Sequence, residues 1–445
     1  MTLVVYKSPH LLTVPLKDGF FGVINTWHPD STRILNTAQF ELLKAIDGSR
    51  SVESICSILN LDVDTVKKLI QSLTRGEILK YDNFFGRPVP PTIPKTLNLW
   101  LHTTNRCNLT CNYCYISTLN TEGGMDERVK RNLIANLVYT AVTRKLSKIK
   151  IRLAGGEPLT QFKKWKNFIL TAKSDLNKIG CELNVAFITN LTILDDDILD
   201  FAVKSGVTFG ISLDGVGFYH DLTRKNHSGK GTFDIVNKNL EIVKERGIKT
   251  SVSTVITNQN MEGLSALTEY LIEKEFNFRF SIVKGVNIDR LRLKTYLNNA
   301  YKVMDQAVDN GWGFTKFHKF CDLKPNELGY QTCSSGLSGG AIYIDGGVYY
   351  CHVQFGDSNK SVGNASEKDT DLVALISKGQ HYEGLKSDDC TDCHYRYICT
   401  SGCPMYRVDG KDPNCAIYHE FLPKIFEIQA KERLNMLLKR NNKVS

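Results

Sequence analysis

The stretch Leu97-Asn98-Leu99-Trp100-Leu101-His102-Thr103 runs directly into Thr104-Asn105-Arg106-Cys107-Asn108-Leu109-Thr110-Cys111-Asn112-Tyr113-Cys114-Tyr115. The first part reads as an apolar strand and the second as a loop carrying three thiols. Thiolates at intervals of four and three residues can wrap one face of an iron–sulfur cube and leave one iron without a protein ligand. A structural zinc site wants four ligands, and the nearest fourth candidate, His102, lies back inside the strand. Beyond this loop, β-rich segments alternate with amphipathic helical ones. The expected strands are 97–103, 148–153, 183–188, 207–213, 249–256 and 278–283, with helices such as Val129–Ala141 and Phe233–Arg246 between them. Six such units predict parallel βα topology and a barrel or an incomplete one, with chemistry at the C-terminal strand ends.

Short motifs recur at those ends. Gly155-Gly156-Glu157-Pro158 closes the second strand, Thr189-Asn190 the third and Ser212-Leu213-Asp214-Gly215 the fourth. Arg224 follows in His220-Asp221-Leu222-Thr223-Arg224, ahead of Gly229-Lys230-Gly231-Thr232-Phe233. Each is weak alone, but their shared order behind a three-cysteine loop is specific. Together they resemble the radical S-adenosylmethionine enzymes over roughly residues 97–420. The resemblance implies a [4Fe-4S] cluster on Cys107, Cys111 and Cys114, with S-adenosylmethionine chelating the open iron. One electron then cleaves the cofactor to a deoxyadenosyl radical that abstracts hydrogen from an unactivated carbon, the cofactors carrying the hard step. It also implies cofactor contacts from Tyr113, Gly155, Gly156, Glu157, Asn190, Ser212 and Arg224. Glycines there allow close backbone approach, Glu157 suits the methionyl ammonium, and Arg224 suits the carboxylate. Asp214 reads as a contact to ribose or substrate, or as a cap on its own turn.

A second group of cysteines is C-terminal: Cys333, then Cys351 after Gly346, then Cys390-x2-Cys393-x5-Cys399-x3-Cys403 and Cys415. A loop-rich region this dense in thiols needs metal to hold it together. The spacing resembles the SPASM extension of radical enzymes that act on ribosomal peptides. By that resemblance Cys390, Cys393, Cys399 and Cys415 hold one auxiliary four-iron cluster. Cys333, Cys351 and Cys403 hold another, with Cys321 as its fourth ligand, making three [4Fe-4S] clusters in all. His352 stands where sulfatase-maturing relatives carry an aspartate base, so it is the candidate base or a packing residue beside a cluster. Cys56 and Cys181 read as buried small side chains.

Upstream, Arg87-Pro88-Val89-Pro90-Pro91-Thr92-Ile93-Pro94 predicts an extended connector, because proline removes amide donors and fixes φ. Before it, strands at 11–16, 20–26 and 31–35 precede three helices, the first a stripe from Thr37 to Ile46, the second opened by Ser51 and the third capped by Asp62. A closing strand is expected at 77–81. This is a winged-helix pattern, and residues 1–83 resemble the recognition element of enzymes that modify ribosomally made peptides. The unit carries nine basic and nine acidic side chains, a balance that disfavours DNA and suits a peptide added as a strand along 31–35.

With 445 residues, 42% hydrophobic and 23% charged, the chain can bury a sizeable core. Thirteen cysteines, no long apolar run and no export signal in Met1–Pro9 predict a cytoplasmic protein without a disulfide framework. The net charge of +9 falls in the middle, where residues 84–320 hold +11. That excess serves an acidic peptide, a charged cofactor or plain solvation alike.

The expectation is thus an α/β protein: a winged-helix-like peptide-binding domain at 1–83, a proline-rich linker at 84–96, a partial (β/α)6 TIM-like barrel at 97–320 and a cysteine-rich iron–sulfur domain at 321–445. Its expected activity is an intramolecular crosslink, C–C or ether, at a side-chain β-carbon involving an aromatic residue, in a precursor peptide whose leader binds residues 1–83. The resemblance sets beside it a thioether from cysteine sulfur to an α-carbon, and more remotely a sulfatase-type maturase or an iron–sulfur DNA-binding regulator. An external electron donor such as flavodoxin or ferredoxin is implied; nucleic acid and membrane are not.

Overall fold

The computed structural model describes residues 4–87, 95–118, 123–378 and 387–441. The proline run at 88–94 lies outside the described residues. Two compact units emerge. One comprises Pro91–Leu297 and Cys333–Glu383, the other Met1–Pro90, Asn298–Thr332 and Gly384–Ser445. The first break falls within the linker expected at 84–96, whereas no break falls at the boundary expected at 320.

In the barrel unit the six expected strands are present, at Thr96–His102, Lys148–Ala154, Glu182–Thr189, Thr208–Ser212, Thr250–Ile256 and Asn277–Ile282. They pair in parallel in chain order. Helices Glu127–Arg144, Phe162–Lys178, Asp196–Ser205, Phe233–Glu245 and Leu264–Glu273 connect them. Asp126 and Asp195 cap two of these helices by accepting from the amides of Val129 and Ile198. Alternate strand residues, among them Ile151, Leu153, Val185 and Phe187, are buried, and the ring of Phe162 on a connecting helix lies 6.2 Å from Phe187. The helices therefore cover that face.

The sheet does not end at the first strand. Gly339–Ile342 adds to it in parallel, with Ala341 opposite Trp100, and Gly347–Tyr349 and Gly363–Asn364 follow antiparallel. Asn136 fixes this extension by donating to the carbonyls of Ala365 and Glu367 at 2.8 and 2.6 Å. The segment expected to open the cysteine-rich domain thus belongs to the barrel's sheet.

In the other unit, Leu11–Pro15, Phe21–Asn25 and His28–Leu35 form an antiparallel sheet in that order. Helices Thr37–Ala45, Val52–Leu59 and Val63–Arg75 follow, capped by Asn36, Ser51 and Asp62. Leu42, Leu43, Ile55, Val66, Ile70 and Leu73 make their shared core, and Cys56 is buried there as expected. Leu79–Lys80 closes against Tyr6–Lys7. The terminal helix, Cys415–Asn441, carries Pro423 within it. It packs on the three-stranded sheet: a Cβ at Gly22 would lie 2.6 Å from that of Ala430, and Arg433 Nη1 donates to the Thr32 carbonyl at 2.7 Å. No helix among the described residues is long and apolar enough to cross a membrane.

Candidate active site

The loop bearing Cys107, Cys111 and Cys114 leaves the first strand and lies over the ends of its neighbours. Its backbone is stitched to the segment after the fourth strand, with Thr110 and Asn112 amides donating to the carbonyls of Lys225 and Thr223 at 2.8 and 3.3 Å. The second strand end presses from the other side. Gly156 N donates to Thr104 O at 2.6 Å, and a Cβ there would sit 2.0 Å from Arg106 O. Gly155 takes φ +146, and its Cβ would sit 2.4 Å from Thr104 O. Only glycine tolerates either position. The close approach these glycines permit is to the cysteine loop itself.

Glu157 is 1% exposed. Its carboxylate accepts from Leu159 N at 3.0 Å, Thr189 Oγ1 at 2.7 Å and Asn190 N at 2.8 Å. Burial outweighs these donors and pushes its pKa up to about 7. These oxygens brace the second strand end against the third. Asn190, next in line, reaches the loop. Its Nδ2 donates to Asn108 Oδ1 at 3.0 Å and lies 3.9 Å from Cys107 Sγ.

Arg224 reaches it from the opposite side. Its Nη1 lies 3.8 Å from Cys111 Sγ, its Nε donates to Asp214 Oδ2 at 2.7 Å, and Nη2 donates to the Tyr113 hydroxyl. Asp214 was read from sequence as a ligand contact or a turn cap. It is neither alone: the buried carboxylate also accepts from Tyr113, Thr223 and Val255 N at 2.6, 3.0 and 3.0 Å. Burial opposes the Arg224 cation, but Asp214 holds its pKa well above the usual range. A carboxyl straight after a strand that also carries a candidate cofactor contact was the available signal. Ser212, half-buried, ends the fourth strand opposite Ser253.

Cys107, Cys111 and Cys114 fall within electrostatic range of one another. Burial pushes the Cys107 thiol up to about 11 and raises Cys111 as well. His102 is no fourth ligand. It is fully buried, its Nε2 lies 2.6 Å from Asn105 Oδ1, and burial lowers its pKa to about 4. Among the described residues no three His, Cys, Asp or Glu side chains form a single-ion site. The all-sulfur donor set fits an iron–sulfur cluster.

In the other unit Cys390, Cys393, Cys399 and Cys415 also fall within mutual electrostatic range, and burial raises the Cys399 thiol strongly. These are the four that the resemblance assigns to one cluster. Arg407 senses Cys390, Cys399 and Cys403, and donates to the carbonyls of Thr400, Ser401 and Gly402. Cys321 is buried beside Tyr301 and Tyr418. Cys321 and Cys403 belong to this unit, Cys333 and Cys351 to the barrel unit. None of the thirteen cysteines is in a disulfide. His352 stacks on Trp100, centroids 4.4 Å apart, with Tyr115 at 5.3 Å.

A parallel sheet whose strand ends converge on a three-thiol loop defines an enzyme built around a sulfur-ligated metal group. The chain belongs to the radical SAM superfamily, whose family model matches residues 101–271. An uncharacterized protein of Methanocaldococcus jannaschii is 32% identical over 63% of this chain and 93% of its own length. A cysteine-type anaerobic sulfatase-maturating enzyme of Clostridium perfringens is 23% identical over 72% of this chain and 93% of its own. The structure of Streptococcus suis SuiB bound to precursor peptide SuiA shares the fold, with a TM-score of 0.53 and 16% identity over 93% of this chain and all of SuiB.

Proposed function

We propose that this enzyme installs an intramolecular crosslink, C–C or ether, at a side-chain β-carbon involving an aromatic residue of a ribosomally synthesised precursor peptide. The observation that carries the reading is the pinned three-thiol loop, held between Asn190 and Arg224 at the strand ends. When bound, the clusters and S-adenosylmethionine supply hydrogen-atom abstraction from the peptide and take up the leftover electron. Cys107, Cys111 and Cys114 would hold the reactive cluster, and Cys390, Cys393, Cys399 and Cys415 an auxiliary one. The grouping of Cys321, Cys333, Cys351 and Cys403 in a third rests on the resemblance alone.

The chain's own residues do the rest. Asp214 fixes Arg224 and Tyr113, and Glu157 fixes Asn190, so the loop is set before any ligand arrives. His352, stacked on Trp100, accepts the proton released as the new bond forms. The leader pairs along 31–35 of the third strand, which lies at the edge of the three-stranded sheet. Tethering there raises the effective concentration of the core segment at the barrel. Flavodoxin or ferredoxin supplies the electron.

Co-expression with the short peptide encoded beside the gene, followed by mass spectrometry, tests the reading. The expected result is a loss of about two mass units per bond, located to an aromatic residue. An unchanged peptide would contradict it. A link from cysteine sulfur would replace it with the thioether reading. The sulfatase-maturase likeness favours one other outcome, modification of a folded or nascent enzyme with no crosslink in the peptide.

A further inference from the structure

Cys393 is held at both its main chain and its sulfur by residues distant in sequence. The turn between Phe21–Asn25 and His28–Leu35 carries Trp27, which is buried. Its Nε1 donates to the Cys393 carbonyl at 3.4 Å, and its ring meets that of Tyr397 edge-on, with centroids 5.3 Å apart. His10 stacks on Trp27 at 3.7 Å, which fixes the indole in turn. Residues 1–90 and 384–445 belong to one compact unit, so these contacts lie within a single body.

The sulfur has its own partners. Tyr395 N donates to Cys393 Sγ at 3.4 Å, and His419 Nε2 lies 3.6 Å from the same atom. His419 follows Cys415 by four residues on the terminal helix, so one turn places both on one face. Its exposed ring meets that of Tyr395 edge-on, with centroids 5.1 Å apart. Ser387 Oγ donates to Cys390 Sγ at 3.5 Å. Donors gathered on sulfur fit thiolates that ligate iron. A ligating thiolate has no proton to give. Toward it the imidazole is therefore the donor, with its proton on Nε2.

We propose that His419 sets the reduction potential of the auxiliary cluster on Cys390, Cys393, Cys399 and Cys415 by donating a hydrogen bond to the Cys393 sulfur. It acts through a ligand and is a positioning residue. The inference rests on the auxiliary cluster proposed above and deepens it. An electron added to the cluster spreads negative charge onto its sulfurs, so a donor there favours the reduced state. Without that donor the cluster is harder to reduce and accepts the leftover electron less readily.

The test uses full-length Cys107→Ala/Cys111→Ala/Cys114→Ala protein, reconstituted with iron and sulfide, so that only the C-terminal cysteines carry clusters. A mediated titration with dithionite, read by electron paramagnetic resonance, gives the midpoints. Adding His419→Leu should lower one midpoint by about 59 mV, a tenfold fall in the reduced-to-oxidised ratio at fixed potential, with iron content unchanged. His419→Gln, which restores a donor, should recover most of that shift. An unchanged or raised midpoint in His419→Leu overturns the proposal, and so does an absence of recovery in His419→Gln. Loss of iron from either variant also overturns it, since His419 would then be a ligand. A parent protein that takes up no C-terminal iron overturns the auxiliary cluster itself, and the proposal with it. Iron present with an unmoved midpoint overturns the proposal alone. Mass measurement of the co-expressed peptide tests the peptide reading separately.

Discussion

The two cysteine regions are built on opposite principles. The loop at Cys107–Cys114 leaves a seven-residue strand and is wedged among strand ends by Gly156, Asn190, Arg224 and Asp214. The region at Cys390–Cys415 has only short helical turns, Asp388–Cys390 and Arg396–Cys399, before the terminal helix. Its order rests on local contacts, such as Thr332 Oγ1 with the carbonyls of Thr400 and Gly402. One site is made by the fold and then receives metal. The other has little regular structure of its own before the terminal helix, as a loop region completed by metal would.

Removing iron from the whole protein gives the sharpest contrast. Amide exchange in residues 387–415 should rise on the order of a hundredfold or more, while residues 96–115 change little. Equal responses in both would break the comparison. Gly156→Ala should strike the other region. Its Cβ has no room against Arg106 O, so the expected cost is about 2–4 kcal/mol in denaturant titrations, with iron lost from the first site and kept at the C-terminal one. Asp214→Asn should leave the fold cooperative but lower the rate of deoxyadenosine formation by roughly 10²-fold, because Arg224 and Tyr113 lose their shared anchor.

The smallest effect concerns Glu157. Its folded pKa is raised, to about 7. The folded state therefore holds a proton that the unfolded chain releases near pH 4.5, and stability contributed by that proton is present below pH ~4.5 and lost as pH rises toward 7. In metal-free protein Glu157→Gln should flatten this slope, by about 1–3 kcal/mol across the window, as read by melting at each pH. A slope unchanged by the substitution would show that the carboxylate is not the brace between strands.

The barrel was legible because six apolar strands alternate with amphipathic helices, and that period survives any loop chemistry. The SPASM resemblance grouped Cys390, Cys393, Cys399 and Cys415, which lie within electrostatic range of one another. The strand Gly339–Ile342 was not legible. Four residues, two of them glycine, carry no period, and the pairing depends on the distant first strand. The roles of Glu157 and Asp214 were hidden for a related reason. A carboxylate in a motif looks the same whether it faces a ligand or backbone amides, and only burial separates the two.

Formation of deoxyadenosine by reconstituted, dithionite-reduced Cys107→Ala/Cys111→Ala/Cys114→Ala bears most directly on the account. The variant should retain iron at the C-terminal cysteines and produce none above a no-enzyme control. Production at the wild-type rate would place the reactive metal elsewhere in the molecule.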